Sequence, residues 1–349
     1  MNEPTVTALI VVRNGSRDIT GALDSIRQQD YGSIELVVVD GMSDDGTRRL
    51  VTDYAATHKT FPLRLLDNPG RIQATGWNVG IRAAFGQYLL RLDAVHCRLQ
   101  PDYIRRCLEK LRALQQADPW VAAVGGRRVS VAAMTNGWSE AIALAQSSRF
   151  GVGNAAYRLS TTPGFADTLG VPLYDRSILQ KVGMFDESLG RSEDNELHAR
   201  LRDEGYKLYF LPEVTATYHP RTTLNGIASQ MFHNGWWVSA TVLRIRRFPF
   251  GVRHIVPFTF YLALFVAGIL SVAGFVWSRW VLSVLAGAYL VFSLAAALHV
   301  SRSRGFWRTA IVFWLMHACY AAGTAAGLLA GKNGPAVGEI TAPGASVGA

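Results

Sequence analysis

The stretch that decides the fold is "IELVVVDGMSDDGT", residues 34–47. Its first seven residues are largely apolar and β-branched, which is typical of a strand buried on both faces of a parallel sheet. Gly, Ser and Asp residues then follow together and predict an exit loop. Because ligands of open α/β sheets bind where parallel strands end, we expect a binding site near Asp40.

The same alternation continues on both sides of this stretch. "VTALIVV", residues 6–12, predicts a second buried strand, and the apolar spacing of residues 18–29 predicts a helix. The order continues as helix 44–54, strand 63–66, helix 73–84 and strand 88–93. It predicts an α/β domain with a mostly parallel, Rossmann-like sheet and helices on both faces. No G-x-G-x-x-G or Walker pattern is present, so dinucleotide and P-loop chemistry lose support.

The last third of the chain has a different composition. Three segments of about 20 residues lack Asp, Glu, Lys and Arg, and each is long enough to cross about 30 Å of hydrocarbon. They are Val256–Trp277, Trp280–Val300 and Thr309–Ala330, with only Ser278 and Arg279 between the first two. Buried helices of a soluble domain would show a polar stripe, which these segments lack, so we predict transmembrane helices.

Basic residues predict the orientation of these helices. Arginines precede the first span and lie between the second and third: Arg244, Arg246, Arg247, Arg253, Arg302, Arg304 and Arg308. The N-terminal domain is therefore expected in the cytoplasm, on a multi-pass protein of the bacterial inner membrane. We expect an α/β domain over 1–222, an interfacial helix and basic linker over 223–253, membrane helices over 254–330 and a disordered tail over 331–349.

The formal net charge of +9 does not indicate nucleic-acid binding, because no such motif is present and many arginines lie beside the spans. Anionic lipid and a phosphorylated substrate explain the excess charge. Cys97, Cys107 and Cys319 have no metal-ligand spacing and are expected to be free thiols.

Several motifs together resemble the family 2 glycosyltransferases, which have the GT-A fold. They are "TALIVVRNG", "LVVVDGMSDDGT", "GWNVGIRAAFGQYLLRLDA" and "RSEDNELHARLRDEGYKLYFLPE", in that order. The resemblance covers Thr5 to Trp237 and is strongest to membrane-attached bacterial exopolysaccharide enzymes of the succinoglycan-biosynthesis glucosyltransferase type. It implies transfer of a hexose from a uridine diphosphate sugar with inversion at the anomeric carbon.

The resemblance also implies nucleotide-binding residues. Arg13 and Asp40 would hold the uridine and ribose, and Arg71 and Asn78 would approach the nucleotide or support the loop over it. The alternative for Asp40 is an Asx-turn residue that opens the Gly41 loop.

Asp93 matches the first Asp of the family's DxD motif, which places it at the donor diphosphate and a divalent cation, Mn²⁺ or Mg²⁺. The third position of the motif is Val95, so His96 is the candidate second metal ligand, with His219 as a further candidate. The alternative for His96 is a loop histidine that binds no metal.

The catalytic base is expected in "RSEDNELHARL", residues 191–201. By resemblance Asp194 is the general base, and Glu193 is its nearest rival. The alternative interpretation is a helix start, at which acidic residues favour the positive end of the helix dipole and Glu196 pairs with Arg200.

A further helix at 224–243 carries Gln230, Trp236 and Trp237 before a run of arginines. It suits an interfacial element that guides a lipid-borne acceptor to the base, or else a surface helix of the soluble domain. Gln230 is not followed by the Arg and Trp of processive synthases, which favours single addition. The expected acceptor is a polyprenyl-diphosphate-linked saccharide. The alternatives are a polyprenyl monophosphate acceptor, or a non-catalytic membrane subunit with the same fold.

Overall fold

A computed structural model of the protein describes residues 5–93, 97–301 and 305–331, apart from the side chain of Asp93. The described chain divides into two compact units. Residues 5–129 and 156–218 form the first, here called the α/β unit, and residues 130–155 and 219–331 form the second, the helical unit. Residues 130–155 therefore group with the C-terminal helices.

Nine strands of the described chain form one sheet in the α/β unit. They are β1 (Val6–Val12), β2 (Ile34–Asp40), β3 (Leu63–Asp67), β4 (Tyr88–Asp93), β5 (Cys97–Leu99), β6 (Val121–Ser130), β7 (Gly164–Phe165), β8 (Pro172–Asp175) and β9 (Lys207–Tyr218). Their order is β3-β2-β1-β4-β8-β6-β9-β5, and β7 pairs with β9. The expected bounds of β1, β2 and β4 are confirmed.

The helices of the α/β unit lie between these strands. They are α1 (Ile19–Arg27), α2 (Thr47–Thr57), α3 (Gln73–Ala83), α4 (Tyr103–Ala117), α7 (Ala156–Leu159), α8 (Arg176–Lys181) and α9 (Glu193–Asp203). Strands β1 to β4 pair in parallel, as predicted. The pairs β4–β8, β6–β8, β5–β9 and β7–β9 are antiparallel, which makes the whole sheet mixed.

The sheet is covered on both faces, which explains why its first strands are apolar throughout. Ile10 of β1 faces a core that includes side chains of α1, α2 and α4. Leu9 faces the opposite core, with side chains of α3, α8 and α9. Successive residues of a strand point to opposite faces, so every position in β1 is buried.

The helical unit holds α5 (Gly137–Gln146), α6 (Arg149–Val152), α10 (Leu224–Ile245), α11 (Val256–Val272), α12 (Val276–Ser301) and α13 (Phe306–Ala330). Its apolar core joins Ile142 of α5, Ile227 of α10, Ala297 of α12 and Phe313 of α13. Three segments are long and apolar enough to cross a membrane: Val252–Val272, Val276–Ser301 and Phe306–Ala330.

The boundary between the first two spans differs from the expected one. Residues Ser278 and Arg279 lie inside α12, and the break falls at Gly274, whose φ is 93°. The amide of Gly274 donates to the carbonyl of Ser271, and that of Phe275 donates to Leu270. A glycine in the left-handed region after a helix is a common termination signal, and it explains why α11 ends before the predicted boundary.

Helix α10 packs closely along α13. A Cβ added at Gly323 would lie 1.9 Å from the carbonyl oxygen of Phe232, and one at Gly235 would lie 2.0 Å from that of Tyr320. The Ser239 hydroxyl donates to the carbonyl of Thr324. Small residues at such contacts let two helix backbones approach each other.

The predicted acceptor residues lie on this helix. Trp236 and Trp237 are buried, whereas tryptophans of a helix resting on a membrane surface would be exposed on one side. Gln230, which precedes both tryptophans on the same helix, is half-buried. Helix α10 is thus a packed element of the helical unit, and an acceptor role for these three residues stays a prediction.

Candidate active site

The acidic cluster of the sequence begins helix α9, and its members have different surroundings. Ser192 takes a left-handed φ of 64° immediately before the helix, and its side chain makes no capping bond to the described backbone. The Glu193 residue is 3% exposed, whereas the side chain of Asp194 keeps 31% of its surface exposed. Adjacent carboxyl groups therefore differ in their access to a substrate.

Arg91 of β4 lies between these two acids. One guanidinium nitrogen donates to Glu193 Oε1 at 2.9 Å, and the other lies 3.6 Å from Asp194 Oδ2. Its flat face lies 4.9 Å from the ring centre of Trp77, on α3. The Arg91 side chain is only 12% exposed, so this ion pair is formed in a largely dry environment.

The two acids have opposite pKa shifts. Burial raises the pKa of Glu193, against the effect of Arg91, and the neighbouring Asp194 charge raises it further. Burial also disfavours the Asp194 carboxylate, but Arg91, His198, the backbone N–H of Asn195 and Arg128 together lower its pKa. Of the two acids, Asp194 is therefore the one whose charged, carboxylate form is favoured.

His198 sits one turn further along α9 and is fully buried. Its Nδ1 is 2.9 Å from the Thr168 hydroxyl, and its Nε2 is 2.7 Å from the hydroxyl of Tyr174 on β8. Burial lowers the pKa of His198 to about 4, so the ring is neutral near pH 7. Both ring nitrogens are satisfied, which makes His198 a support for the start of α9.

The structural interpretation of the acidic cluster, in which Glu196 pairs with Arg200, also applies. The carboxylate of Glu196 accepts from Arg200 Nε at 2.9 Å and from Nη2 at 2.7 Å. Arg200 donates in addition to the carbonyls of Val182 and Met184, in the loop that precedes the helix. Glu196 therefore forms the predicted i to i+4 pair with Arg200 and stabilises the helix and its preceding loop.

Asn78 of α3 holds the same preceding loop. Its amide nitrogen donates to the carbonyl of Phe185 at 2.9 Å and to Glu187 Oε1 at 2.8 Å, and its oxygen accepts from the Phe185 amide. Phe185 in turn lies 5.9 Å from the Arg91 guanidinium. Asn78 thus ties the loop to the Arg91 neighbourhood, and a direct contact with nucleotide stays a prediction.

The loops after β1 and β2 meet at the carboxyl edge of the sheet. Asp40 is fully buried, and its carboxylate accepts from the amide and hydroxyl of Ser43 and from Arg48. The hydrogen bonds from Ser43 to the Asp40 carboxylate are those that the Asx-turn alternative predicts. The Arg13 side chain packs against Gly41, and its Nε is buried without a hydrogen-bond partner among the described residues.

The remaining nucleotide and metal candidates are placed only in part. Arg71 is exposed and takes a left-handed φ of 59°. Asp93 ends β4, its side chain is not described, and His96 lies outside the described residues. No group of three or more His, Cys, Asp or Glu side chains that could hold a metal occurs among the residues that the structure describes.

His219 has one feature that fits a ligand. Its Nδ1 is buried without a hydrogen-bond partner in the described part of the chain. It directly follows Tyr218, which pairs with Cys97 in the antiparallel register of β5 and β9. A ring nitrogen left unbonded inside a protein is costly, so a ligand for it is chemically reasonable.

Three functional neighbours escaped the sequence analysis: Arg91, His198 and Arg128. Arg91 had a detectable signal, because a charged residue inside the buried run "YLLRLD" needs a partner. The i to i+4 spacing from Asp194 to His198 was visible, but its partners come from distant positions. Nothing in the sequence around Arg128 indicated that it acts on Asp194.

Comparisons with known proteins identify the family of the chain. The profile described as "Glycosyl transferase family 2" matches residues 7–182. The chain is 29% identical over 298 residues to the succinoglycan biosynthesis protein ExoA of Rhizobium meliloti, covering 80% of this chain and 86% of that protein. It is 25% identical over 271 residues to a Methanococcus voltae dolichyl N-acetyl-alpha-D-glucosaminyl phosphate 3-beta-D-2,3-diacetamido-2,3-dideoxy-beta-D-glucuronosyltransferase, covering 76% of this chain and 82% of that enzyme.

A solved structure supports the fold. The mannosyltransferase PcManGT from Pyrobaculum calidifontis, in complex with GDP-Man and Mn²⁺, superimposes with a TM-score of 0.64 at 20% identity, covering 94% of this chain and 88% of that one. The expected GT-A-like α/β fold, followed by long apolar helices, is thus confirmed. With half of its length matched by the family profile, the chain belongs to glycosyl transferase family 2 and is a transferase enzyme.

Proposed function

We propose that the protein is an inverting hexosyltransferase that moves one sugar from a uridine diphosphate donor to a polyprenyl-diphosphate-linked saccharide during exopolysaccharide assembly. The observation that carries the proposal is the acid pair on α9, where Arg91 lies between a buried Glu193 and a partly exposed Asp194. The similarity to a succinoglycan biosynthesis protein supports the exopolysaccharide context.

Asp194 is the proposed general base. Inversion requires that the acceptor hydroxyl attack the anomeric carbon from the face opposite the leaving diphosphate, while a carboxylate takes its proton. Of the two acids, Asp194 is ionised and keeps part of its surface exposed, whereas Glu193 is buried against Arg91. Glu193 and Arg91 are proposed to position the base, and Glu193 is the weaker candidate for it.

Arg13 and Asp40 are the proposed contacts for uridine and ribose. Their support is their place at the carboxyl ends of β1 and β2, together with the buried Nε of Arg13, which has no hydrogen-bond partner within the described part of the chain. Arg71 is proposed at the nucleotide, and Asn78 is proposed to act through the loop that it holds.

A divalent cation, Mn²⁺ or Mg²⁺, is proposed to be held by Asp93, His96 and His219. Its chemistry would be to neutralise the charge that develops on the leaving diphosphate. The support is the buried Nδ1 of His219, which has no hydrogen-bond partner among the described residues, and its position next to the Tyr218–Cys97 pair. The Mn²⁺ in the solved mannosyltransferase supports the choice of metal.

The acceptor is proposed to be lipid-linked and to arrive from the cytoplasmic leaflet. The name of the Methanococcus voltae relative describes a sugar added to a dolichyl-phosphate-linked saccharide, which supports this class of acceptor. The three apolar helices support a membrane attachment, and the arginines that flank them in the sequence support a cytoplasmic α/β unit. Gln230, Trp236 and Trp237 are proposed to line the acceptor path.

The test is transfer by the purified full chain, with a panel of uridine diphosphate sugars, Mn²⁺ and bacterial lipid extract, and the product identified by mass spectrometry. Asp194→Asn should reduce the rate by about 10²- to 10⁴-fold, the range expected on loss of a general base. If none of the donors in the panel gives nucleotide release, or if wild type and Asp194→Asn have equal rates, the proposal is rejected. A parallel panel of guanosine diphosphate sugars tests the donor base.

The polyprenyl monophosphate alternative has a separate test. A lipid phosphate already carries negative charge and needs no base, so Asp194→Asn should then have little effect. Comparing the variant on a monophosphate and on a saccharide-bearing lipid distinguishes the two acceptors. Calorimetric titration of donor with and without Mn²⁺ tests the non-catalytic alternative, which tight, metal-dependent donor binding would disfavour and metal-independent or absent binding would support.

A further inference from the structure

Residues 130–155 bring a short helix, α5, against one end of the apolar helices of the helical unit. Ile142 of α5 shares an apolar core with Ala297, about one turn before the end of α12, and with Ala310, about one turn after the start of α13. The core therefore lies at the end of the two spans where α12 finishes and α13 begins. With the proposed membrane attachment, α5 lies at the membrane surface.

The first turns of α5 and α13 meet around one arginine. The guanidinium of Arg308, the third residue of α13, lies 4.8 Å from the ring centre of Trp307 and 5.9 Å from that of Trp138 on α5. The two rings meet edge to face, with their centres 5.7 Å apart. Gly137, the first residue of α5, packs on the same guanidinium, because an added Cβ would collide with it. The two helix starts thus share one cation.

No acidic side chain of the described residues balances this charge. Arg308 forms no ion pair with them, and its Nε is buried without a hydrogen-bond partner among them. The hydroxyl of Thr309, fully buried in the same turn, also lacks a partner within the described chain. Unbonded polar atoms are costly inside a protein, and the first N–H groups of both helices add positive partial charge. The place is therefore short of hydrogen-bond acceptors and of negative charge.

The surroundings favour an anion that carries acyl chains. Trp307 is 44% exposed, and Met134, three residues before α5, is 55% exposed. Tryptophan is enriched where a membrane meets water, because its ring is apolar and its N–H is polar. Arginine binds phosphate oxygens through paired N–H groups. A phosphate attached to acyl chains would satisfy both the guanidinium and the exposed apolar side chains.

We propose that Arg308, Trp138 and Trp307 bind the phosphate of an anionic membrane phospholipid, with the first turns of α5 and α13 as additional donors. The inference rests on the proposed membrane attachment and makes no use of the sugar-transfer reaction. Free inorganic phosphate has the same chemistry as the lipid headgroup, so the experiment includes a probe for each source.

The experiment measures binding by calorimetry to the full chain, purified free of lipid in a non-ionic detergent. Dioctanoyl phosphatidylglycerol carries both phosphate and acyl chains, dioctanoylglycerol carries the chains alone, and inorganic phosphate carries the charge alone. Phosphatidylglycerol should bind most tightly, and Arg308→Met should weaken its binding by about 10- to 100-fold, the value of a charge-assisted phosphate contact. Arg308→Lys should retain part of the affinity, because it keeps the charge without the paired N–H groups.

Trp307→Leu is a second variant, at an exposed position where folding is least affected. Loss of its stacking on Arg308 should weaken phosphatidylglycerol binding by about 3-fold. Unchanged binding in this variant would count against the site. Dioctanoylglycerol or inorganic phosphate that binds as tightly as phosphatidylglycerol would overturn the phospholipid as the ligand.

Arg279→Met is the matched control. Arg279 also lies near the start of a span, α12, beside the exposed Trp277 and Trp280, but it is itself exposed and stacks on no described ring. An exposed charge at a lipid surface changes binding by about 5-fold at most. Equal losses of phosphatidylglycerol binding in Arg308→Met and Arg279→Met would overturn the site. Because binding needs no nucleotide sugar, a failure of sugar transfer is observed separately.

Discussion

The substitution of Arg91 by Met tests the ion pair on which the candidate site depends. Arg91 donates to Glu193 at 2.9 Å, and Glu193 is 3% exposed, so the substitution leaves a buried carboxyl group without its cation. Breaking such a pair costs about 3–5 kcal/mol. For a unit of this size, that loss lowers the melting temperature by about 6–20 °C.

The pH dependence of this loss has a definite sign. Burial already raises the pKa of Glu193, and removal of Arg91 takes away the main opposing effect. Glu193 therefore holds a proton more tightly in the folded variant than in the unfolded chain. The stability of the variant falls as pH rises from the ordinary Glu pKa of 4.5 to the raised pKa of the folded state. The deficit relative to wild type should be smaller at pH 5 than at pH 8.

Thermal unfolding of the full chain in detergent at pH 5 and pH 8 measures both effects. Arg82→Met is the matched control, because Arg82 pairs with Glu187 at 3.4 Å with both side chains largely exposed. Exposed pairs contribute about 0–1 kcal/mol. A deficit for Arg91→Met no larger than that of Arg82→Met, or one that is the same at both pH values, would refute the reasoning. The double variant Arg91→Met/Glu193→Gln should recover part of the loss.

Three further predictions concern other parts of the molecule. Asn78→Ala removes the bonds to the loop at Phe185 and should cost about 1–3 kcal/mol, seen as faster amide hydrogen exchange in residues 182–189. Gly323→Ala should lower the melting temperature of the full chain, whereas Gly268→Ala, with open space at its Cβ, should not. The pKa of His198 is lowered from 6.5 to about 4, so its neutral ring contributes fully to the free energy of unfolding above pH 6.5, and this contribution is lost as pH falls towards 4. His198→Asn should therefore flatten the decline in stability that the wild type shows between pH 6.5 and 4.

Local patterns were sufficient for the central fold. The strands β1, β2 and β4 begin and end at the predicted residues, because each is a short apolar run bounded by polar turn residues. Alternation of strand and helix then implied parallel pairing, and thus the edge at which Asp40 lies. The span boundary was wrong because Gly274 ends α11, a backbone effect that hydropathy alone does not reveal.

What the sequence determined by itself was the fold class, the membrane-length helices and the acidic segment of the candidate site, because these follow from periodicity, length and local motif. Only the tertiary structure decided how the two acids differ. Glu193 and Asp194 are neighbours in the chain, and their distinct exposure and opposite pKa shifts arise from Arg91, which lies on a strand more than a hundred residues earlier. Electrostatic interactions depend on distance in space and on burial, and neither can be read from adjacent letters.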